Sequence, residues 1–396
     1  MKTGAAAVLP SLLNEAGITI NGSNPWDVQV RNEQLFSRIW REHSLGLGEA
    51  YIDGWWDCER TDQFINRLLH GKIQNRIRSN MLLLMQVLPS LLLNLQSKAR
   101  ARIVADRHYN LGNDLFSAFL DPYMQYSCAF FDGTDSLEEA QLKKLEMICT
   151  KLDLAPGDHL LDIGCGWGGL ARYAAERRGC KVTGVNISKE QLAFGRESCK
   201  GLPVEFVDSD YRDITGQFDK IVSVGMFEHV GERNYATYLD VVHRCLKPDG
   251  VFLLHTIGSN STTKGASEAW LSKYIFPNSK LPSAAQIAST AEDRFIIEDW
   301  HNFGPHYDKT LMAWHERFQN AWPDLKGSKY DERFKRMWDY YLLCCAATFR
   351  SRQTQLWQVV MTAADSGRAQ PPHCRTTPGQ RQTSDIAIPI QGDTAA

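Results

Sequence analysis

The chain lacks most of what marks a secreted, metal-binding or membrane-spanning protein. Its 10 cysteines, among 396 residues, follow no regular spacing. No C-x-x-C pair and no Cys/His cluster is present, which argues against a disulfide framework and against a zinc site. No secretory leader opens the sequence, so reduced thiols in a cytoplasm are the expectation. Long apolar runs are missing too. Met81 to Val87, Pro89 and Leu91-Leu92-Leu93 form the most apolar stretch. Gln86 and Pro89 interrupt it, and it is too short to cross a bilayer. Net charge is nearly absent: 44 basic against 46 acidic residues give −2. No global field therefore draws the chain to nucleic acid or to acidic lipid, and any membrane attraction must come from a local patch. The remainder is ordinary globular composition, 43% hydrophobic and 23% charged, long enough for two or three domains.

One stretch stands out from this background. Leu160-Leu161-Asp162-Ile163-Gly164-Cys165-Gly166-Trp167-Gly168-Gly169 reads as an apolar strand, a glycine-packed turn and the start of a helix. Glycines let backbone amides approach a ligand, and a helix start offers unpaired N–H groups. This is where an open α/β sheet holds a nucleoside-containing cofactor. The G-x-G-x-x-G spacing of Gly164, Gly166 and Gly169 alone does not choose the cofactor. A nicotinamide enzyme wants an acid for the ribose about twenty residues on. Here the next strand ends in Asn186-Ile187-Ser188 instead. With Asp162 two residues before the first glycine, the reading favours S-adenosylmethionine.

Strands are expected over 159–163, 181–185, 204–207, 218–224 and 251–256. Helices are expected over 137–151, 168–178, 189–198, 235–245, 311–321 and 329–348. Such alternation implies a parallel sheet covered on both faces. Lys247-Pro248-Asp249-Gly250 reads as a turn, and residues 260–290 as an insertion. Residues 1–95 read as a smaller, mostly helical domain ending in a basic connector. Lys72, Arg76, Arg78, Lys98, Arg100, Arg102 and Arg107 flank its apolar run, against the single acid Asp106. A connector of this kind either lies on an anionic membrane surface or packs its leucines on the neighbouring domain. Residues 96–366 are expected to form the catalytic domain, and the proline-rich, polar residues 367–396 a disordered tail.

Several further blocks carry a resemblance. They are Gly46-Leu47-Gly48-Glu49-Ala50-Tyr51-Ile52-Asp53-Gly54-Trp55-Trp56, His108-Tyr109-Asn110-Leu111-Gly112-Asn113-Asp114, Asp121-Pro122-Tyr123-Met124-Gln125-Tyr126-Ser127-Cys128 and Gly225-Met226-Phe227-Glu228-His229-Val230-Gly231. Over about residues 11–366 the chain resembles the cyclopropane-fatty-acyl-phospholipid synthase family, S-adenosylmethionine-dependent methyltransferases acting on lipid double bonds. The resemblance implies a class I, Rossmann-like methyltransferase sheet, an unsaturated phospholipid substrate and a homodimer. It also implies a cytoplasmic enzyme touching the inner face of a bacterial inner membrane, with no nucleic-acid partner.

The chemistry sets its own requirements. An isolated cis double bond is a poor nucleophile, so the methyl donor must be a strong electrophile such as a sulfonium. The resulting carbocation must be kept from water while a base removes a proton from the transferred methyl. Aromatic walls favour such a cation. In the family that base is a bound bicarbonate, whose ligands fall on Cys128, Glu228, His255 and Tyr307, with the backbone around Ile257 assisting. Cys345 occupies the other active-site cysteine position, although one residue of slippage would choose Cys344. For the cofactor the resemblance points to Tyr126, Ser127, Asp162, Gly164, Cys165, Gly166, Asn186, Ile187, Gln191, Ser209 and Asp210. Trp270, Tyr274, Phe276, Tyr340 and Tyr341 are expected to wall an acyl-chain tunnel.

Taken apart from the resemblance, Cys128 and Cys345 read as inert buried thiols and Tyr307 as a loop aromatic. His255 reads equally as a core histidine, whereas Glu228 follows a strand's carboxyl end, where such sheets place ligands. Two rival functions remain. Another methyltransferase on the same fold would give a branched, hydroxylated or O-methylated product. A catalytically silent lipid-binding protein would bind without turnover.

Overall fold

The computed structural model describes residues 5–70, 111–262, 268–327 and 329–365. The basic connector, the 95/96 boundary, the His108-Tyr109-Asn110 block, part of the 260–290 insertion and the tail lie outside the described residues. Residues 5–70 give helices α1 (Ala5–Glu15), α2 (Leu35–Ile52) and α3 (Thr61–His70). A two-residue antiparallel pair, β1 (Gln29–Val30) and β2 (Trp56–Asp57), ties them together. Helices α4 (Asn113–Phe119) and α5 (Leu137–Lys151) lead into an alternating series. It runs β3 (His159–Ile163), α6 (Gly169–Arg178), β4 (Lys181–Asn186), α7 (Lys189–Ser198), β5 (Val204–Asp208), β6 (Phe218–Val224) and α8 (Tyr235–Cys245). There follow β7 (Leu246–Ser259), α9 (Ala269–Tyr274), α10 (Ala284–Ala291), β8 (Phe295–Asn302), α11 (Pro305–Leu325), α12 (Glu332–Arg350) and β9 (Thr354–Ala363).

Helix starts follow their capping residues. The Ser136 hydroxyl accepts from the Glu139 amide at the head of α5, and Asp331 accepts from Phe334 at the head of α12. Ser283 and Gln286 complete a reciprocal capping box on α10. The strands assemble into one seven-stranded sheet, ordered β5-β4-β3-β6-β7-β9-β8. The first five in that order are mutually parallel, and β9 runs antiparallel to both β7 and β8. The sheet is thus mixed where a parallel one was expected.

The expected turn at Lys247–Gly250 is absorbed into β7 as an irregularity. Leu246 pairs with Phe218, the register shifts, and Val251 pairs with Lys220. The α/β architecture, with helices around a mostly parallel sheet, agrees with the fold expected from the sequence. Among the described residues no helix is long and apolar enough to cross a membrane.

One apolar cluster runs from the N-terminal helices into the catalytic unit. It joins Trp56, Phe64 and Tyr51 to Tyr340, Trp338, Trp314 and Phe116. Glycine makes the closest approach possible. A Cβ on Gly48 in α2 would lie 2.4 Å from the Trp270 ring, so the indole of α9 seats against bare backbone. A buried charge crosses the same junction. Asp62, 1% exposed, accepts from Arg60 and from Arg350 of α12, and Arg350 also makes a two-pronged pair with Asp308. Burial works to raise the Asp62 pKa, but the two guanidiniums outweigh it and hold the carboxyl below its usual range. Replacing Arg350 by Met leaves Asp62 with Arg60 alone. The expected loss is about 1.5–3 kcal/mol, the worth of a charge-assisted bond to a buried group. It should be read as a lower denaturation midpoint of the full chain, and the deficit should shrink as pH falls and Asp62 is protonated.

Candidate active site

The carboxyl ends of β3, β4 and β6 open onto one cavity. Its walls include Asp162 to Trp167 with Leu170, Val185 to Ile187 with Gln191, Ser209 to Arg212, Val224 to Met226 with His229 and Val230 and, from outside the sheet, Met124 to Ser127 with Pro277 and Asn278. All eleven residues assigned to the cofactor from sequence line this cavity. Gly164 and Gly166 have φ of 82° and 55°, which L side chains rarely adopt, and a Cβ on Gly164 would strike Met226 at 2.7 Å. The third glycine serves a different end. A Cβ on Gly169 would sit 1.8 Å from the Tyr123 carbonyl oxygen, so this position admits the segment that crosses the cavity.

The side chains explain several choices at the cavity. Asn186 Nδ2 donates to the Gly166 carbonyl at 3.3 Å and to Gln191 Oε1 at 2.8 Å, while its Oδ1 accepts from the Ile187 amide. An acid here could not donate to either neighbour. Asp210 accepts on both oxygens from Arg212, each at 2.7 Å, so its carboxylate is already pre-oriented by a guanidinium. Sequence reasoning missed Arg212. Asp162 is fully buried, and desolvation pushes it up to about 7, with Lys144 opposing the rise.

A second group of polar side chains lies beside this cavity. Glu228 follows β6 in a short 3-10 turn, and β7 places His255 opposite Val224. Glu228 Oε1 accepts from the Ile257 amide at 2.7 Å, while Oε2 is buried without a partner. The Ile257 amide, expected to face the anion, is therefore engaged by Glu228. His255 Nδ1 meets Gln358 Nε2 at 3.2 Å, and His255 Nε2 is also buried without a partner. Burial holds His255 well below the usual histidine range, with Lys144 and Lys151 adding to the effect. Burial raises Glu228 to about 7.

Tyr307 stacks on Phe349 at 4.5 Å. Its hydroxyl is kept protonated by burial and by facing Cys128, Tyr126, Glu228 and Cys345. Cys128, Glu228 and Cys345 each lie within electrostatic range of the Tyr307 hydroxyl, and the β6–β7 pairing sets His255 opposite Val224, just before the turn that carries Glu228. Cys128 and Cys345 are both raised by burial, Cys345 to about 12, so each remains a thiol. Of the adjacent pair, Cys345 faces Tyr307 and Tyr341, whereas Cys344 lies with Tyr340. Tyr126 connects the two groups: it lines the cavity and shares a 2.7 Å hydroxyl bond with Tyr341.

The expected aromatic tunnel wall divides. Phe276 packs on Tyr341 at 5.7 Å and on His229 at 5.9 Å, beside the site. Trp270, Tyr274 and Tyr340 turn instead to the N-terminal helices. Trp270 contacts Tyr340, Tyr340 contacts Tyr51, and Tyr274 donates to Glu49. The bare backbone at Gly48 draws the indole that way. His229, pushed down to about 4 by burial, was another residue missed from sequence.

The raised carboxyl of Glu228 has a stability cost with a definite sign. Between its ordinary value near 4.5 and about 7, the unfolded chain sheds this proton and the folded one keeps it. Glu228 therefore supports folding at low pH, and that support is lost as pH rises through 7. At pH 8 Glu228→Gln should be more stable than the parent by on the order of 1–3 kcal/mol, and so unfold at a higher temperature. The gap should close at pH 4, where thermal unfolding at the two pH values checks it.

The protein-family model for mycolic acid cyclopropane synthetase matches residues 96–359. The chain is 56% identical over 351 residues to the cyclopropane-fatty-acyl-phospholipid synthase of Escherichia coli (strain K12), covering 89% of this chain and 91% of that protein. Among solved structures, the cyclopropane synthase MmaA2 from Mycobacterium tuberculosis aligns with a TM-score of 0.62 and 32% identity, over 66% of this chain and 98% of that one. Mycolic acid cyclopropane synthase CmaA1, complexed with SAH and CTAB, aligns at 0.60 and 31%, over 66% and 97%. With the family model matching residues 96–359 and a relative 56% identical over 89% of the chain, the chain belongs to the mycolic acid cyclopropane synthetase family of S-adenosylmethionine-dependent methyltransferases.

Proposed function

We propose that this enzyme adds a methylene group from S-adenosylmethionine across the cis double bond of an unsaturated phospholipid acyl chain. The products are a cyclopropane chain, S-adenosylhomocysteine and a proton. The observation that carries the reading is the pair of buried, unpartnered atoms Glu228 Oε2 and His255 Nε2, beside a cavity lined by the cofactor residues. Buried polar atoms without partners are costly, and their persistence here fits a small polar guest.

Bicarbonate fits that guest, and when bound it supplies the base that receives the proton. Glu228 Oε2 would accept its O–H, and His255 Nε2–H and the Tyr307 hydroxyl would donate to its oxygens. His255, kept neutral by burial, can donate without introducing a competing acid. Cys128 and Cys345 contribute neutral, polarizable wall rather than a nucleophile, since their thiols stay protonated. Phe276, Tyr341 and Tyr126 would screen the developing cation from water. Asp162, Asn186, Gln191 and Asp210 are assigned to the cofactor's polar groups.

The same reading includes a homodimer and a peripheral contact with the inner membrane face, made through residues 1–95. A bilayer substrate supports the contact, because the acyl chain must be reached at a membrane surface.

Vesicles of unsaturated phospholipid incubated with the enzyme and S-adenosylmethionine should yield acyl chains heavier by CH2, with no added oxygen and no remaining double bond. A methyl-branched or oxygenated product would favour the rival methyltransferase. Binding of the cofactor without any product would favour the silent lipid-binding protein. Glu228→Gln should lower kcat by about 10²–10⁴, the usual contribution of a positioned proton-transfer group, with cofactor affinity near that of the parent. Depleting bicarbonate should depress the parent's rate; a rate indifferent to bicarbonate would remove it as the base.

A further inference from the structure

The least expected side chain near the site is Lys144. It sits on α5, where Gln141, Ile148 and Lys151 mark the same inward face, and it is 0% exposed. Its ammonium donates to Gln125 Oε1 at 2.5 Å and to Ser127 Oγ at 3.0 Å. One turn earlier, Gln141 Nε2 donates to the Ser127 carbonyl at 2.9 Å and to the Gln125 carbonyl at 3.3 Å. The Gln125 amide is fixed by its own Nε2, which donates to the Tyr123 carbonyl at 3.0 Å, so its oxygen faces the lysine. These bonds all converge on Gln125 to Ser127, a stretch that lines the cofactor cavity and continues into Cys128.

Charge adds a second strand to the argument. The two hydrogen-bond acceptors of Lys144 are neutral, and its charge is balanced from farther off by Asp121 and Asp162, with the Cys128 thiol also in range. Lys144 is in turn the one charge opposing the burial-driven rise of Asp162. Burying an ammonium is expensive, and a methionine of similar length would fill the same space without that cost.

We propose that Lys144 is a positioning residue of the cofactor site. Its ammonium holds residues 125–127 across the cavity and places a positive charge within electrostatic range of Asp162. The claim rests on reading this cavity as the S-adenosylmethionine site.

Three measurements on the full-length enzyme test it. In Lys144→Met, calorimetric titration should show the dissociation constant for S-adenosylmethionine rising about tenfold or more, the equivalent of roughly 1.4 kcal/mol. The KM for phospholipid vesicles, at saturating cofactor, should stay within about twofold of the parent. Adding Asp162→Asn to Lys144→Met should cost less than the two single effects combined, because both remove one shared interaction.

An unchanged dissociation constant, or a lipid KM rising in step with it, would overturn the proposal. So would full additivity with Asp162→Asn. If Lys144→Met does not fold, Lys144→Gln decides, since it removes the charge at a position outside the cavity lining and keeps a polar side chain there. A rise of about threefold or more supports the tie, and no change refutes it. Failure of the parent itself to bind S-adenosylmethionine would instead refute the cofactor-site reading, so the two failures are distinguishable.

Discussion

Desolvation governs this molecule's chemistry. Asp162 and Glu228 are both raised to about 7 by burial, His255 is driven below its ordinary range, and Lys144 falls to about 8. Each of these groups would be more stable in water, and each is kept from it by aromatic and aliphatic neighbours. The arrangement is expensive in folding free energy and suits a reaction in which water would intercept the intermediate. What the fold provides is a buried chamber whose few polar atoms are pinned by backbone amides and amide side chains. Glu228 on the Ile257 amide and His255 on Gln358 are the clearest cases.

The N-terminal helices take part in closing that chamber. Glu49 of α2 accepts from Arg38, Lys273 and Tyr274, and Trp270 sits against Gly48. These contacts fix α9, and the chain leaving α9 supplies Phe276 beside Tyr341 and then Pro277 and Asn278 in the cavity wall. Stability of the small unit and shape of the cavity are thus linked through a few residues. Loosening one side would be felt at the other.

Much of this was legible beforehand, for identifiable reasons. The boundaries of α5 and α7 follow from periodicity and serine caps, and those of α8, β3 and β6 from periodicity alone. The cofactor cradle follows from the glycine turn, because backbone conformation there restricts which residues fit. Strands β8 and β9 were not anticipated, since the sheet's rhythm breaks at the 260–290 insertion and resumes with the reversed strand β9. The Lys247–Gly250 stretch carried strong turn residues, yet tertiary pairing with β6 carried β7 through it. Lys144 escaped because a charged residue on a helix is ordinarily solvated. Its only trace was its place on the apolar stripe with Ile148 and Leu137. Trp270 and Tyr340 were assigned to a tunnel because composition cannot reveal which face of a segment meets a bare glycine.

The order of strands has a bearing on biosynthesis. β9 enters the sheet between β7 and β8, though it is made after both. While the chain emerges, β7 therefore presents an unpaired edge along Val251 to Ser259, through the synthesis of more than ninety further residues. Such an edge invites mispairing with other nascent chains. Only when Gln358 arrives does His255 gain its companion, so assembly of the proposed anion site and protection of the sheet are completed by the same late event.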